Sequence, residues 1–107
     1  MQQKILAGML VVLMGALPFG VGATEAVVAR VILVEPTYMP GSVMFQLDKP
    51  LPSCPLGTWF RWDKGAENNK AVLSSLLSAL ISGKRVVVHV NNGDTTCAGQ
   101  YLHVLNN

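Results

Sequence analysis

Both tryptophans of the 107-residue chain fall in "GTWFRWDKG" (57–65), three positions apart and flanking one arginine. On an extended segment Thr58, Phe60 and Trp62 share one face, while Trp59 and Arg61 share the other. The first face is apolar enough for a core. The second joins an indole to a guanidinium, groups that stack on one another or bracket a sugar ring or a carboxylate. Trp59 and Arg61 are therefore the candidate ligand-binding residues. The ordinary account of the same pair is a Trp packed under a helix and a solvated Arg, and a bulge would exchange which Trp points inward.

The remaining reactive side chains are few. His89 and His103 are the only histidines, and they fall opposite one another if the last two strands form a hairpin centred near Thr96. No third ligand lies near them in the sequence, so paired or half-buried imidazoles are expected and no metal is assigned. No nucleophile motif surrounds any serine, and the six carboxylates are scattered singly, so no acid/base pair can be nominated. No glycine pattern cradles a phosphate. The chain is expected to have no enzymatic activity and no cofactor.

Cys54 and Cys97 are the only two cysteines. They lack the paired spacing of zinc motifs, and a disulfide between them is expected in a chain bound for an oxidising compartment. Export is indicated by the first residues. Lys4 precedes an uncharged apolar run of 13 residues, Ile5–Leu17, and Val21 and Ala23 supply small residues ahead of Thr24. These are the three parts of a secretory signal, shorter than the roughly 20 residues of a spanning helix. Residues 1–23 are thus assigned to a signal peptide, and a secreted or periplasmic location is expected, with no membrane span after its removal.

The remaining 84 residues, 24–107, hold 7 basic and 6 acidic side chains once Lys4 is set aside. That is one small domain, of a size often stapled covalently. The near-neutral charge argues against a nucleic-acid partner, which usually meets a basic patch.

The elements that must position these residues follow from periodicity. "AVVARVILVE" (26–35) is a β-branched run, read as a strand buried on much of both faces. A Pro/Gly-punctuated turn follows it, and "SVMFQL" (42–47) alternates with Val43, Phe45 and Leu47 on one side. Pro50, Pro52 and Pro55 make a stiff connection to the short strand in "GTWFRW". The helix of "ENNKAVLSSLLSALISGK" has Asn68 or Asn69 as its capping residue, Gly83 as its stop and Lys84 beside its last carbonyls. Its core face is Val72 or Leu73 with Leu76, Leu77 and Leu80. "RVVVHV" (85–90) and "QYLHVL" (100–105) are the last strands. The order β-β-β-α-β-β predicts a mainly β domain with one helix, as a five-stranded OB-like barrel over 24–107. An open five-stranded sheet with one helix is the alternative.

The run "C…TWFRWD…NNKAVLSSLLSALISGKRVVVHV…C", covering roughly 54–97, resembles small secreted bacterial proteins similar to the B subunits of pertussis- and subtilase-type toxins. That resemblance implies an OB fold, assembly into pentamers and glycan binding. No sugar-contacting residue of those subunits is matched one by one in this chain, and no catalytic A-type segment accompanies it.

Between Lys70 and Lys84 the helix carries no charge. Ser74, Ser75, Ser78 and Ser82 lie away from Leu73, Leu76 and Leu80, and their small size would let another surface approach closely. Ser74, Ser78 and Ser82 are therefore the candidate oligomer interface. The expected function is a non-enzymatic binding domain recognising a glycan or a protein, with self-association. The alternatives are an inhibitor of an exported enzyme and a single-stranded nucleic-acid-binding OB domain.

Overall fold

The computed structural model describes residues 23–107, so the expected signal segment lies outside the described residues except for Ala23. The elements in chain order are strand β1 (Thr24–Glu35), β2 (Val43–Leu47), β3 (Phe60–Trp62), helix α1 (Ala66–Ser82), β4 (Arg85–Asn91) and β5 (Gly99–Val104). The five strands form one sheet in the order β3-β2-β1-β4-β5, antiparallel at every step. The fold is mainly β with one helix, and the sheet is open. Strand β3 meets the residue just before β5 at one isolated parallel bridge, Arg61 to Ala98, where the Arg61 main-chain N–H donates to the Cys97 carbonyl at 3.0 Å.

Strand β1 serves both halves of the sheet. Thr24–Arg30 pair with β4, and Val31–Glu35 pair with β2 after a register shift between Val31 and Leu33. The shift is a bulge: Val31 is buried, Ile32 and Leu33 both face out, and Val34 turns back toward the core. An extra residue of this kind bends a strand, which lets one β1 belong to two differently oriented halves. The expectation that β1 is buried on much of both faces is corrected by the same pattern. Only Ala29 and Val31 of β1 are buried, and Val28, Ile32 and Leu33 are exposed, because among the described residues no layer covers the outer face of the sheet.

The core lies between the inner sheet face and the helix. Val43, Phe45 and Leu47 of β2, Phe60 and Trp62 of β3, and Val86, Val88 and Val90 of β4 meet Val72, Leu76 and Ala79 of α1. Phe45 and Phe60 stack with centroids 5.4 Å apart. Gly99 opens β5 where a Cβ would come within 2.6 Å of the Trp62 ring, so only glycine lets β5 pass that indole. A disulfide joins Cys54 to Cys97. It ties the loop before β3 to the loop before β5, with both sulfurs fully buried.

The helix differs from its sequence reading at both ends and in its face. Gly65, not Asn68 or Asn69, is the residue before the first turn. Asn69 lies inside the helix, and its side-chain oxygen accepts from the Lys64 and Gly65 amides instead. Gly83 ends the helix in the left-handed region at φ 73°, its N–H donating to Ala79. Lys84 reaches Asn106, while Arg30 Nε donates to the Gly83 carbonyl at 3.0 Å. The buried face is Asn69, Val72, Leu76 and Ala79. Leu77 and Leu80, expected inside, are exposed, and Ser75, expected outside, is half-buried. The face is rotated because a buried, hydrogen-bonded Asn69 lies against the β1–β2 loop, and no hydrophobic count anticipates that.

Candidate ligand-binding site

Strand alternation sends the two tryptophans to opposite faces. Trp62 is 4% exposed, with its Nε1–H donating to Asn68 Oδ1 at 2.7 Å. Trp59, just before β3, is 40% exposed. On the outer face Glu35, Met44 and Arg61 form one row across β1, β2 and β3. Leu33 and Gln46 form the next row, and Trp59 stands beyond Gln46 by continuation of the Phe45–Phe60 pairing.

A concavity of about 340 Å³ opens on this face, lined by Glu35, Tyr38, Met44 and Trp59. The wall residues come from two pieces of chain, the β1–β2 hairpin and the segment before β3. Glu35 ends β1, Met44 lies on β2, and Trp59 follows the proline-rich connection, whose Gly57 carbonyl accepts from Gln46 Nε2 at 3.3 Å. Tyr38, 62% exposed, sits in the loop between β1 and β2. That loop is held from below. Fully buried Asn69 donates to the Pro40 and Gly41 carbonyls at 2.8 and 3.1 Å, and the Gly41 and Ser42 amides return to the Tyr38 carbonyl. Asn69 uses its amide in both directions, and its four partners join the helix start to the loop that carries Tyr38. It is a positioning residue for that loop.

The chemistry of the concavity is specific. An indole and a phenol offer faces for C–H groups or a cation, and Met44 supplies an adaptable apolar floor. The Glu35 carboxylate oxygens are hydrogen-bond acceptors. Among the described residues the ion pairs are Arg61–Asp63 and Lys70–Glu67, so Glu35 is paired with no cation, and no hydrogen bond to its carboxylate is formed.

Arg61, paired with Trp59 in the sequence reading, is half-buried and does not line this concavity. Its Nε donates to Asp63 Oδ2 at 3.0 Å, which neutralises the guanidinium locally. Trp59 is the one sequence candidate that lines it. Glu35 and Met44 meet through the β1–β2 register, Trp59 joins them through the β2–β3 register, and the loop between β1 and β2 brings Tyr38, so no spacing in the sequence singles the four out together. The Tyr between two prolines in "PTYMPG" was the one local signal available.

The histidines are corrected in register. His89 lies opposite Tyr101, and His103 lies opposite Val87, because the pairing turns about a centre nearer Thr95 than Thr96. The imidazoles are diagonal neighbours with centroids 5.9 Å apart, and His89 also meets Tyr101 edge-on at 5.6 Å. His89 Nδ1 lies 3.0 Å from the Thr24 hydroxyl. Among the described residues no group of three or more His, Cys, Asp or Glu side chains could hold a metal.

Ser74, Ser78 and Ser82 are exposed on the outer side of α1, but they share it with Leu77, Leu80 and Ile81, the last 84% exposed. Ser82 turns its hydroxyl to the helix end, donating to Ala79 and accepting from the Lys84 amide. Among the described residues no helix is long and apolar enough to cross a membrane. Compared with known proteins, the chain matches no family model, no curated sequence and no solved structure.

Proposed function

We propose that the chain is an exported, non-enzymatic binding domain that takes a saccharide in the concavity of Glu35, Tyr38, Met44 and Trp59. The observation that carries this is the convergence of two exposed aromatic rings on a carboxylate that has no ion pair among the described residues. Aromatic rings receive the C–H face of a sugar, and a carboxylate receives its hydroxyls. We further propose an OB-like barrel. The contact between the ends of the sheet order at Arg61 and Ala98 supports it, since continuing that pairing would close the five strands. In such barrels the outer face of strands 2 and 3 and the loop between strands 1 and 2 are the ligand surface. Met44, Trp59 and Tyr38 occupy that surface. The buried disulfide supports a secreted or periplasmic location, and a likeness to toxin B subunits is part of the same proposal.

Nucleic acid is disfavoured by local charge. Glu35 and the Asp63 carboxylate on Arg61 would both repel a phosphate backbone. The test is a glycan array probed with the wild type and with Trp59→Ala. Signal on saccharides should be lost in the variant, and stability should change by no more than about 0.5 kcal/mol, as for an exposed site. Equal signal from both proteins would remove the concavity from the account. A protein captured by the wild type in place of any glycan would favour the inhibitor alternative.

Self-association through α1 is a second proposal, favoured by the exposed Leu77, Leu80 and Ile81 beside Ser74 and Ser78. Solvated helices normally carry charges on such a face. The wild type is expected to sediment above its monomer mass at tens of micromolar, and Ser74→Glu with Ser78→Glu is expected to sediment as a monomer. A monomeric wild type at every concentration would make this face ordinary surface.

A further inference from the structure

Resting on the saccharide site proposed above, we infer that Glu35 sets the charge selectivity of that site: it admits neutral and amino sugars and excludes acidic ones. Three observations lead there. The Glu35 carboxylate shares the concavity with Trp59, Tyr38 and Met44, and it meets no positive partner among the described residues. The nearest cation by strand register is Arg61, across β2 from Glu35 through Met44. It is already bound to Asp63 at 3.0 Å. A carboxylate on the ligand would therefore meet an uncompensated negative charge and no free guanidinium.

The same geometry rewards the opposite chemistry. A vicinal diol can donate two hydrogen bonds to one carboxylate while its ring C–H groups lie on the Trp59 indole. An ammonium in place of one hydroxyl makes that bond charge-assisted, hence shorter and stronger, and it can also sit over the indole or phenol face. Glu35 is half-buried at the sheet surface, where opposite or like charges a few ångströms apart are screened but not abolished.

The experiment uses matched sugars that differ in charge alone. Methyl glycosides of glucose, galactose and mannose are titrated beside their 2-amino-2-deoxy and uronic acid counterparts. Binding is read from the Trp59 indole N–H resonance, assigned with Trp59→Phe. At least one neutral sugar should shift that resonance. Its amino counterpart should bind equally or more tightly, with an advantage that shrinks as salt rises, and its uronic acid should bind about tenfold or more weakly. Glu35→Gln keeps the shape and removes the charge, and it should bring the uronic acid to within about threefold of the neutral sugar.

A uronic acid bound as tightly as its neutral counterpart by the wild type would overturn the inference while leaving the saccharide site standing. An unchanged ratio in Glu35→Gln would do the same. A Trp59 resonance unmoved by any sugar would remove both the site and its selectivity. A response to choline alone would do so too, identifying the concavity as a cage for a quaternary ammonium.

Discussion

Glu25 and Glu35 stand near opposite ends of strand β1, and their surroundings divide the molecule into two regions. The Glu25 carboxylate accepts from the Ser53 amide at 2.9 Å, the Ser53 hydroxyl at 2.6 Å and the Gly93 amide at 2.8 Å. Nearby, Asp94 accepts from the Thr96 amide and hydroxyl and from the Ala98 amide. On the outer sheet face of this half, His89 is engaged by Thr24, Tyr101 and His103. At the other end Glu35 faces a concavity walled by Trp59, Tyr38 and Met44, without a partner among the described residues. A carboxylate already satisfied by three donors has little left to offer a ligand. A carboxylate without such donors keeps its acceptor capacity, so one end of β1 is tied to its loops and the other presents an acceptor to the concavity.

The disulfide serves both regions, so its loss is the largest expected effect and the one that should erase the contrast. Cys54 leads into the segment that presents Trp59, and Cys97 follows the loop that holds Asp94. In the chain-entropy account, closing the loop between Cys54 and Cys97 stabilises by about 4 kcal/mol. Cys54→Ala with Cys97→Ala should lower the unfolding free energy by several kcal/mol in urea, and saccharide binding should weaken with it. Unchanged stability would mean that the pairing constrains neither end.

A smaller effect should sharpen the contrast by striking the core where β5 passes β3, on the inner side of the sheet. Gly99→Ala places a methyl 2.6 Å from Cε3 of the buried Trp62, and overpacking of that kind costs about 2 kcal/mol. Thermal unfolding should show the loss, while the Trp59 resonance keeps its position and its ligand response. A shift of both tryptophans would show that the two regions are mechanically coupled through β3.

Acidification should produce the smallest change, confined to the end that is already paired. The Ser53 hydroxyl, then the Gly93 and Ser53 amides, hold the Glu25 carboxyl below its ordinary value. The Thr96 hydroxyl, with the Thr96 and Ala98 amides, does the same for Asp94. Groups with depressed folded values contribute stability that is fully present above the ordinary carboxylate pKa near about pH 4. That contribution is lost as pH falls through the depressed values. Hydrogen exchange at the Ser53, Gly93 and Ala98 amides, corrected for intrinsic rates, should accelerate below about pH 4, with no change around Met44. Protection independent of pH would deny these carboxylates their part in holding the loops.

Much of this molecule is legible in the linear chain because local rules suffice for it. The period-2 pattern placed Val43, Phe45 and Leu47 on the inner face and separated Trp59 from Trp62. The helix stop at Gly83 needed only a residue that tolerates positive φ, and two cysteines leave one pairing within the chain. What the sequence could not supply depends on which strand lies beside which. The bulge at Ile32 and Leu33 turns β1 from one partner to another. The pairing of His89 with Tyr101 rests on a register that one residue in a turn can move. The helix face departs from the hydrophobic pattern because Asn69 is buried with four backbone partners, two just before it in the chain (Lys64 and Gly65) and two distant (Pro40 and Gly41), while Leu77 and Leu80 lie at the surface. Most of all, the concavity joins Glu35, Tyr38 and Met44 of the β1–β2 hairpin to Trp59 before β3. No spacing in the sequence encodes their meeting, because hydrogen-bond registers between strands bring them together and a buried amide holds the loop of one of them in place.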